Sequence, residues 1–422
     1  MSGRSGPRTQ SPATAAPPAH AGTPSHTPHS RASTPLYAAA SAPTEPKKAA
    51  KVTTVENTPY FTPAQLERLL ARARANKMPL PKWEQTNMAA CSFIAAVGAK
   101  LGIPQRSIAS AQLLYQRFHL FYPPSDFVVH QVALASLFTA AKLNDTQKRV
   151  QDVLLAGYAL RFPELLTPSP GTASGLDWVA HAHVADADVD HEMLAQERIR
   201  LLTLERMMLQ CICFQFEMRA TKVLRLTVKA ARRWALPHAL GALAWRVACD
   251  AHRTPAPLVY PPQTVAVGSV YVAALLADAN GERLAVLDTW TQPSAWPHEL
   301  CTNADDTQEV ALAVLAAYAA YLPGLERGAG ALPACVSYPP PLGLLAWRRA
   351  RGARSLPTAP ADLEGALTQV RIHVRHDEQA RGAPEHERRR RGVARARDAL
   401  PTTVYRTEPL EQQMVATRYL LD

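Results

Sequence analysis

Residues 132–154 read "VALASLFTAAKLNDTQKRVQDVL". The stretch begins as an almost wholly apolar helix, meets Lys142, and turns into the polar patch Asn144-Asp145-Thr146. Leu134, Phe138 and Lys142 stand at i, i+4 and i+8, so the lysine prolongs the line of an apolar face. A helix apolar on every side is the buried centre of a bundle. A charge at its end needs a partner or a route to the surface, because an unpaired buried ion costs on the order of several kcal/mol.

The same pattern recurs in "LTLERMMLQCICFQF", where Glu205 interrupts an apolar stripe between Leu201 and Met208. The residues alone leave two readings open. Lys142 is a cation favoured at a helix C-terminus, and Glu205 pairs with Arg198, Arg206 or another neighbour. Alternatively, both side chains reach one surface and serve a partner.

Outward from these helices the chain is punctuated as an all-α protein. "PAQLERLLARARANK" opens at Pro63, and a second helix covers Glu84–Leu101 and stops at Gly102. A third runs from Pro104 to Phe121, with Ile108, Leu114 and Phe118 near helical spacing. The fourth is the opening stretch, with Asp126 as its expected N-cap, and the fifth runs from Thr146, its expected cap, to Leu160. A turn-rich loop, 163–188, precedes the long helix that carries Glu205.

After Phe216 the rhythm repeats: Ala220–Leu236, Pro237–His252, Gln263–Leu276, Glu282–Trp290 and Ala304–Leu322. "TVAVGSVYVAALL" takes the place that "QVALASLFTAAKL" holds in the first half. No strand pattern of period two recurs. The expected architecture is two five-helix bundles in tandem, with boundaries at 56–218 and 219–325. Residues 1–55 are expected to be disordered, and 326–422 to be a linker and an Arg-rich tail.

The 422 residues carry a net charge of +11 and are 47% hydrophobic. The charge belongs to the ends. Residues 1–55 hold six bases against one acid and 346–422 fifteen against ten, whereas 56–345 holds twenty-five against twenty-four. A near-neutral core argues against direct nucleic-acid binding. The first fifty residues, rich in Pro, Ala, Ser and Thr, bury too little apolar surface to offset ordering entropy. No signal-peptide pattern is visible, and no apolar run reaches membrane length, so no membrane partner is expected.

The six cysteines form no C-x-x-C pair, so zinc is not expected and reduced, mostly buried thiols are. "DADVDHEMLAQE" (Asp186–Glu197) has acids at positions 1, 3, 5 and 12 of a calcium loop, but His191 stands where the turn requires glycine. Helix-start acids explain it better, and no metal or cofactor is expected. "GLERGAGAL" (Gly324–Leu332) is read as a linker. No kinase motif and no G-x-S-x-G elbow occurs, so the chain is not expected to be an enzyme. "EHERRRRGVARARDAL" (Glu385–Leu400) fits a nuclear-import signal, and Ser11, Thr23, Thr27, Thr34, Thr58 and Thr62 each precede a proline.

Over about 56–325 the strings "FIAAVGAKLGIP", "SAQLLYQRF" and "VALASLFTAAKLNDTQKRVQDVL" resemble, in order and spacing, a first cyclin box. "LTLERMMLQCICFQF" resembles its fifth helix. "LAWRVACDAHRTPAPLVYPPQTVAVGSVYVAALL" resembles the second box of the transcriptional cyclins, cyclin K and the cyclin (beta) subunit of the fungal RNA polymerase II carboxy-terminal-domain kinase among them. Relatives commonly show Lys-Val-Glu-Glu-Thr where this chain has Lys142-Leu143-Asn144-Asp145-Thr146.

The resemblance implies a nuclear regulatory subunit that activates a cyclin-dependent kinase acting on the polymerase tail, with room for a third subunit. It implies that Lys142 donates to backbone carbonyls of the kinase helix bearing the active-site glutamate. Glu205 accepts from the unpaired N–H groups of that helix's first turn, and Phe138 and Asp145 belong to the same contact. The alternative class is a DNA-binding general transcription factor with tandem cyclin-like repeats. That family usually places a zinc ribbon first, and here no cysteine precedes residue 91.

Overall fold

The computed structural model describes residues 52–56, 60–74, 77–162, 166–167, 183–184, 191–216, 219–282, 304–326, 339–380 and 416–420, with single residues 284, 287 and 302. All of them fall in one unit, Ala50–Asp422. Helices dominate. In the first half they are α1 (Pro63–Arg74), α2 (Leu80–Lys100), α3 (Gln105–Phe121), α4 (Val129–Leu143), α5 (Val150–Arg161) and α6 (His191–Cys211). The second half holds α7 (Arg219–Arg233), α8 (His238–Ala251), the single turn α9 (Ala256–Val259), α10 (Pro262–Asp278) and α11 (Ala304–Glu326). Two more helices follow, α12 (Leu342–Ala353) and α13 (Pro360–Ala380).

The two helices without a polar face lie at the two centres. Every residue of α4 from Val132 to Ala141 is buried, and α2, α3, α5 and α6 pack around it. Its two buried hydroxyls return to their own helix, Ser136 to the Val132 carbonyl and Thr139 to that of Ala135, each at 2.8 Å. In the second half Thr264–Ala277 of α10 is buried among α7, α8 and α11. Helix starts follow the prolines, whose fixed φ suits a first turn and whose missing N–H is not needed there. Gly102, at φ 63°, ends α2 in the left-handed conformation that glycine adopts without strain.

A polar seam joins the bundles. Asn87 donates to the Arg253 carbonyl (3.2 Å), Gln116 to that of His252 (2.7 Å), and Arg253 to Ser92 Oγ (2.8 Å). Each of these side chains is buried, so their hydrogen bonds fix the register of the halves where apolar contact alone would let them slide. The N-terminal segment adds a strap, with the Phe61 amide donating to the Leu258 carbonyl at 2.9 Å.

Several boundaries differ from the sequence expectation. Asp126 lies in a 3-10 turn, Pro124–Asp126, and α4 is preceded by Val128 without a side-chain cap. α5 begins at Val150, and Thr146 instead terminates α4. Most of the expected helix Glu282–Trp290 lies outside the described residues. Four short strands form two antiparallel ribbons, β1 (Val52–Glu56) with β4 (Ala416–Leu420) and β2 (Leu166–Thr167) with β3 (His183–Val184). The first ribbon takes in residues 52–55 of the stretch expected to be disordered, and residues 416–420 of the expected tail.

Residues 342–380 are not a linker. Leu344, Trp347, Leu363, Leu367 and Val374 are fully buried, with α12 packed on α8 and α13 on α11. Asp250 anchors this layer: its carboxylate accepts from the Leu342 and Gly343 amides (2.9 and 2.6 Å) and from Tyr318 Oη (2.8 Å). It thus caps the first turn of α12 from another helix, with Arg253 at 3.6 Å as counter-ion. Burial pushes the Asp250 carboxyl upward, against the pull of Arg253 and these donors. Glycine is required at 343, since a Cβ there would collide with Tyr318 Oη.

Candidate functional site

The helices that carry Lys142 and Glu205 pack against each other, and both end in the same way. After α4 the Asp145 amide donates to the Lys142 carbonyl and the Thr146 amide to that of Ala141. After α6 the Cys213 amide donates to the Gln210 carbonyl and the Phe214 amide to that of Leu209. These are Schellman stops, and Asp145 (φ 54°) and Cys213 (φ 50°) hold the left-handed position that glycine usually fills. Asn144 fastens the first stop: its amide donates to Ser110 Oγ and the Ala140 carbonyl, and its carbonyl accepts from Thr221 Oγ1. The Arg117 guanidinium binds the Cys211 carbonyl at 2.9 Å and so holds the second. Lys142 therefore projects from the last turn of a tightly terminated helix.

Lys142 and Glu205 meet at the surface. Nζ lies 2.9 and 3.0 Å from the two carboxylate oxygens, with the side chains 42% and 13% exposed. The ammonium also sits 4.2 Å from the Phe138 ring centroid, a cation–π contact made possible by the i, i+4 spacing. Phe138 itself is 3% exposed and supplies the floor beneath the charge. Asp145 is exposed beside the helix end. The structure thus brings all four candidate residues to one end of the α4–α6 pair. Of the partners considered from sequence for Glu205, neither Arg198 nor Arg206 pairs with it among the described residues; its partner is Lys142.

Beside this pair two exposed apolar side chains of α6 stand among the exposed Arg198, Arg200, Thr203 and Arg206. Ile199 and Leu202 are 67% and 41% exposed, and Leu202 lies one turn before Glu205. Beyond α6, Phe214 and Phe216 are also exposed. A shallow groove between α4, α5 and α6 is lined by Leu134, Leu155, Tyr158, Arg161, Met193 and Glu197. Sequence reasoning missed these flanking residues. Their signal was present, since Ile199 and Leu202 fall off the stripe formed by Leu201, Leu204 and Met208. A charged pair with exposed apolar and arginine side chains beside it is a composition found in protein-binding patches. It holds no nucleophile with an adjacent base.

Among the described residues, no group of three or more His, Cys, Asp or Glu is placed to hold a metal ion. Residues 186–190 of the calcium-loop stretch, together with "EHERRRRGVARARDAL" and Cys301 and Cys335, lie outside them. The other four cysteines are free thiols, and burial pushes Cys91 up to about 12. No described helix is long and apolar enough to cross a membrane.

No family model matches the chain. It is 32% identical over 218 residues to the CTD kinase subunit beta of Schizosaccharomyces pombe, covering 52% of this chain and 58% of that protein. It is 26% identical over 223 residues to Cyclin-T1-2 of Oryza sativa subsp. japonica (51% and 31%) and 26% over 219 residues to Cyclin pch1 of S. pombe (50% and 54%). The matches thus span between about a third and three fifths of these relatives' lengths. Among solved structures, a chain of the yeast RNA Pol II CTD kinase CTDK-1 complex aligns with a TM-score of 0.48 at 18% identity, covering 75% of this chain and 91% of that one.

Proposed function

We propose, from the chain's membership of the transcriptional cyclin family, that it is a nuclear regulatory subunit which activates a cyclin-dependent kinase acting on the RNA polymerase II carboxy-terminal domain. It does no chemistry of its own. The observation that carries the reading is the surface pair Lys142–Glu205, held over Phe138 between two rigidly terminated helices. In the free chain the two charges satisfy each other. On binding they exchange partners: the Glu205 carboxylate takes up N–H groups at the first turn of a kinase helix, and the Lys142 ammonium takes up carbonyls. Ile199 and Leu202 supply apolar area around them, and Asp145 lies at the edge of the contact.

Holding that helix inward completes the kinase's Lys–Glu ion pair and metal site. In this reading 56–218 and 219–325 are the two cyclin boxes, the second extended by α12 and α13. The DNA-binding alternative is not favoured, since the relatives named above are cyclins and a CTD kinase subunit. The test is co-purification of the catalytic subunit. Lys142→Glu or Glu205→Lys is expected to abolish it while helical content is kept and the chain stays folded, with Tm lower by about 5–10 °C. A stable, active complex with either reversal contradicts the proposal.

A further inference from the structure

Basic charge is concentrated on one helix. α7 holds six bases and no acid, whereas the rest of 56–380 holds twenty-five bases against twenty-eight acids. The buried face of α7 is Ala220, Val223, Leu224, Thr227 and Ala230. Opposite it, Lys222, Arg225, Lys229 and Arg232 are exposed at i, i+3, i+7 and i+10, and Arg233 continues the row. At 1.5 Å per residue the stripe is about 16 Å long.

The helices packed against it bring few carboxylates. α7 packs against α3, α8 and α10. α3 contains no carboxylate, the single one of α8 is the buried Asp250, and that of α10 is Asp278, its last residue. Among the described residues Arg225, Lys229 and Arg232 make no ion pair. The Thr221–Asn144 hydrogen bond ties the first turn of α7 to the stop of α4, so the stripe begins beside the Lys142 patch and leads away from it.

We propose that this stripe is a docking site for an extended peptide bearing two phosphoryl groups three residues apart. A phosphoryl group carries up to two charges and three acceptor oxygens, and is held best by two cations, arginine binding it bidentately. The midpoints of Lys222/Arg225 and Lys229/Arg232 lie seven residues apart, about 10 Å along the helix. An extended peptide advances about 3.3 Å per residue, so three residues span the same distance. A nucleic acid fits less well. The helix offers no aromatic side chain between residues 222 and 233 for bases to stack on. The remainder of 56–380, net acidic by three charges, would also disfavour a long polyanion that overran the stripe. This goes beyond the kinase-activating role and does not depend on it, since binding is read on the chain alone.

The test is fluorescence anisotropy with the full-length chain at physiological ionic strength. The probes are a labelled peptide with two phosphoserines three residues apart, its unphosphorylated form, a form with adjacent phosphoserines, and a twelve-nucleotide single-stranded RNA. Arg225→Ala/Lys229→Ala/Arg232→Ala removes the stripe; these side chains are exposed and alanine favours helix, so the fold is retained, as circular dichroism verifies. Arg388→Ala/Arg389→Ala/Arg390→Ala controls for the basic tail. The expected result is binding of the spaced peptide at least about tenfold tighter than its unphosphorylated and adjacent forms, lost in the stripe variant and kept in the tail variant. Indifference to phosphate spacing, tighter binding of RNA, or loss only in the tail variant overturns the proposal.

Discussion

The double substitution Lys142→Glu/Glu205→Lys exchanges the two ends of the surface pair without removing it, and so separates its two possible roles. An ion pair this exposed is worth about 0.2–1 kcal/mol, and the ammonium over Phe138 adds about 0.5–1 kcal/mol. Lys142→Glu alone loses both and sets two carboxylates about 4 Å apart, a repulsion of about 1 kcal/mol in water. The sum, about 2–3 kcal/mol, leaves a domain of ordinary stability folded, with Tm lower by about 5–10 °C. The swap restores the attraction and forfeits little more than the cation–π contact, so Tm returns to within about 4 °C of wild type.

Kinase binding behaves differently. After the swap an ammonium faces helix N–H groups and a carboxylate faces carbonyls. Each hydrogen bond to a charged group is worth about 1.5–3 kcal/mol, so losing two weakens binding by about 10²- to 10⁴-fold. Thermal melting of the free chain and titration calorimetry against the purified catalytic subunit read the two quantities separately. A swapped chain that melts like wild type and binds within about threefold of it would refute the reasoning, because the pair would then be only a local staple.

Three further outcomes follow from the geometry. His119 and His252 are fully buried, and desolvation lowers both to about 4 from an unfolded value of 6.5. Their native forms are neutral and the unfolded chain takes up the protons first. The stability they allow is present above pH 6.5 and lost toward pH 4, at up to about 1.4 kcal/mol per pH unit for each; urea midpoints at pH 7.0, 5.5 and 4.5 check it, and a flat profile contradicts it. Asp250→Ala leaves the Leu342 and Gly343 amides and Tyr318 Oη without their acceptor and should cost about 3–5 kcal/mol. Limited proteolysis between α11 and α12, with a red-shifted Trp347 emission, reports the detachment; unchanged protection rejects the anchor. Asp145→Gly relieves a left-handed non-glycine residue and should stabilise the chain by about 0.5–1 kcal/mol in urea unfolding. A loss of stability there would show that the Asp145 side chain, not its backbone, holds the turn.

How much of this was legible in the sequence depends on the physical range of each signal. α4 and α10 announced themselves because a helix buried on every side has no polar face to obscure the reading. Lys142 and Glu205 stood out because a charge in an apolar stripe is costly, and that cost predicts a surface or a partner before any coordinates exist. Their meeting with each other, sixty-three positions apart, was not local information.

Caps were misread for a related reason. Asp126 and Thr146 are suitable cap residues by type, yet tertiary contacts decide the ends: Thr146 is drawn to the Ala141 carbonyl and to Ser107 Oγ at 2.8 Å. The layer formed by α12 and α13 was missed because Arg348, Arg349, Arg351 and Arg354 give that stretch a solvated look. Arg351 in fact is buried, donating to the Ala279 and Pro357 carbonyls while its guanidinium lies over Trp347. The stem and planar head of an arginine can pack like an apolar residue when carbonyls receive its protons.

In the proposed complex residue 142 touches the kinase helix bearing the active-site glutamate. Replacing Lys142 with a photo-reactive phenylalanine analogue in the assembled complex, irradiating it and sequencing the cross-linked peptide tests this most directly. A single dominant adduct within the first turns of that helix is expected. An adduct confined to this chain, or to a kinase surface away from the helix, would contradict it.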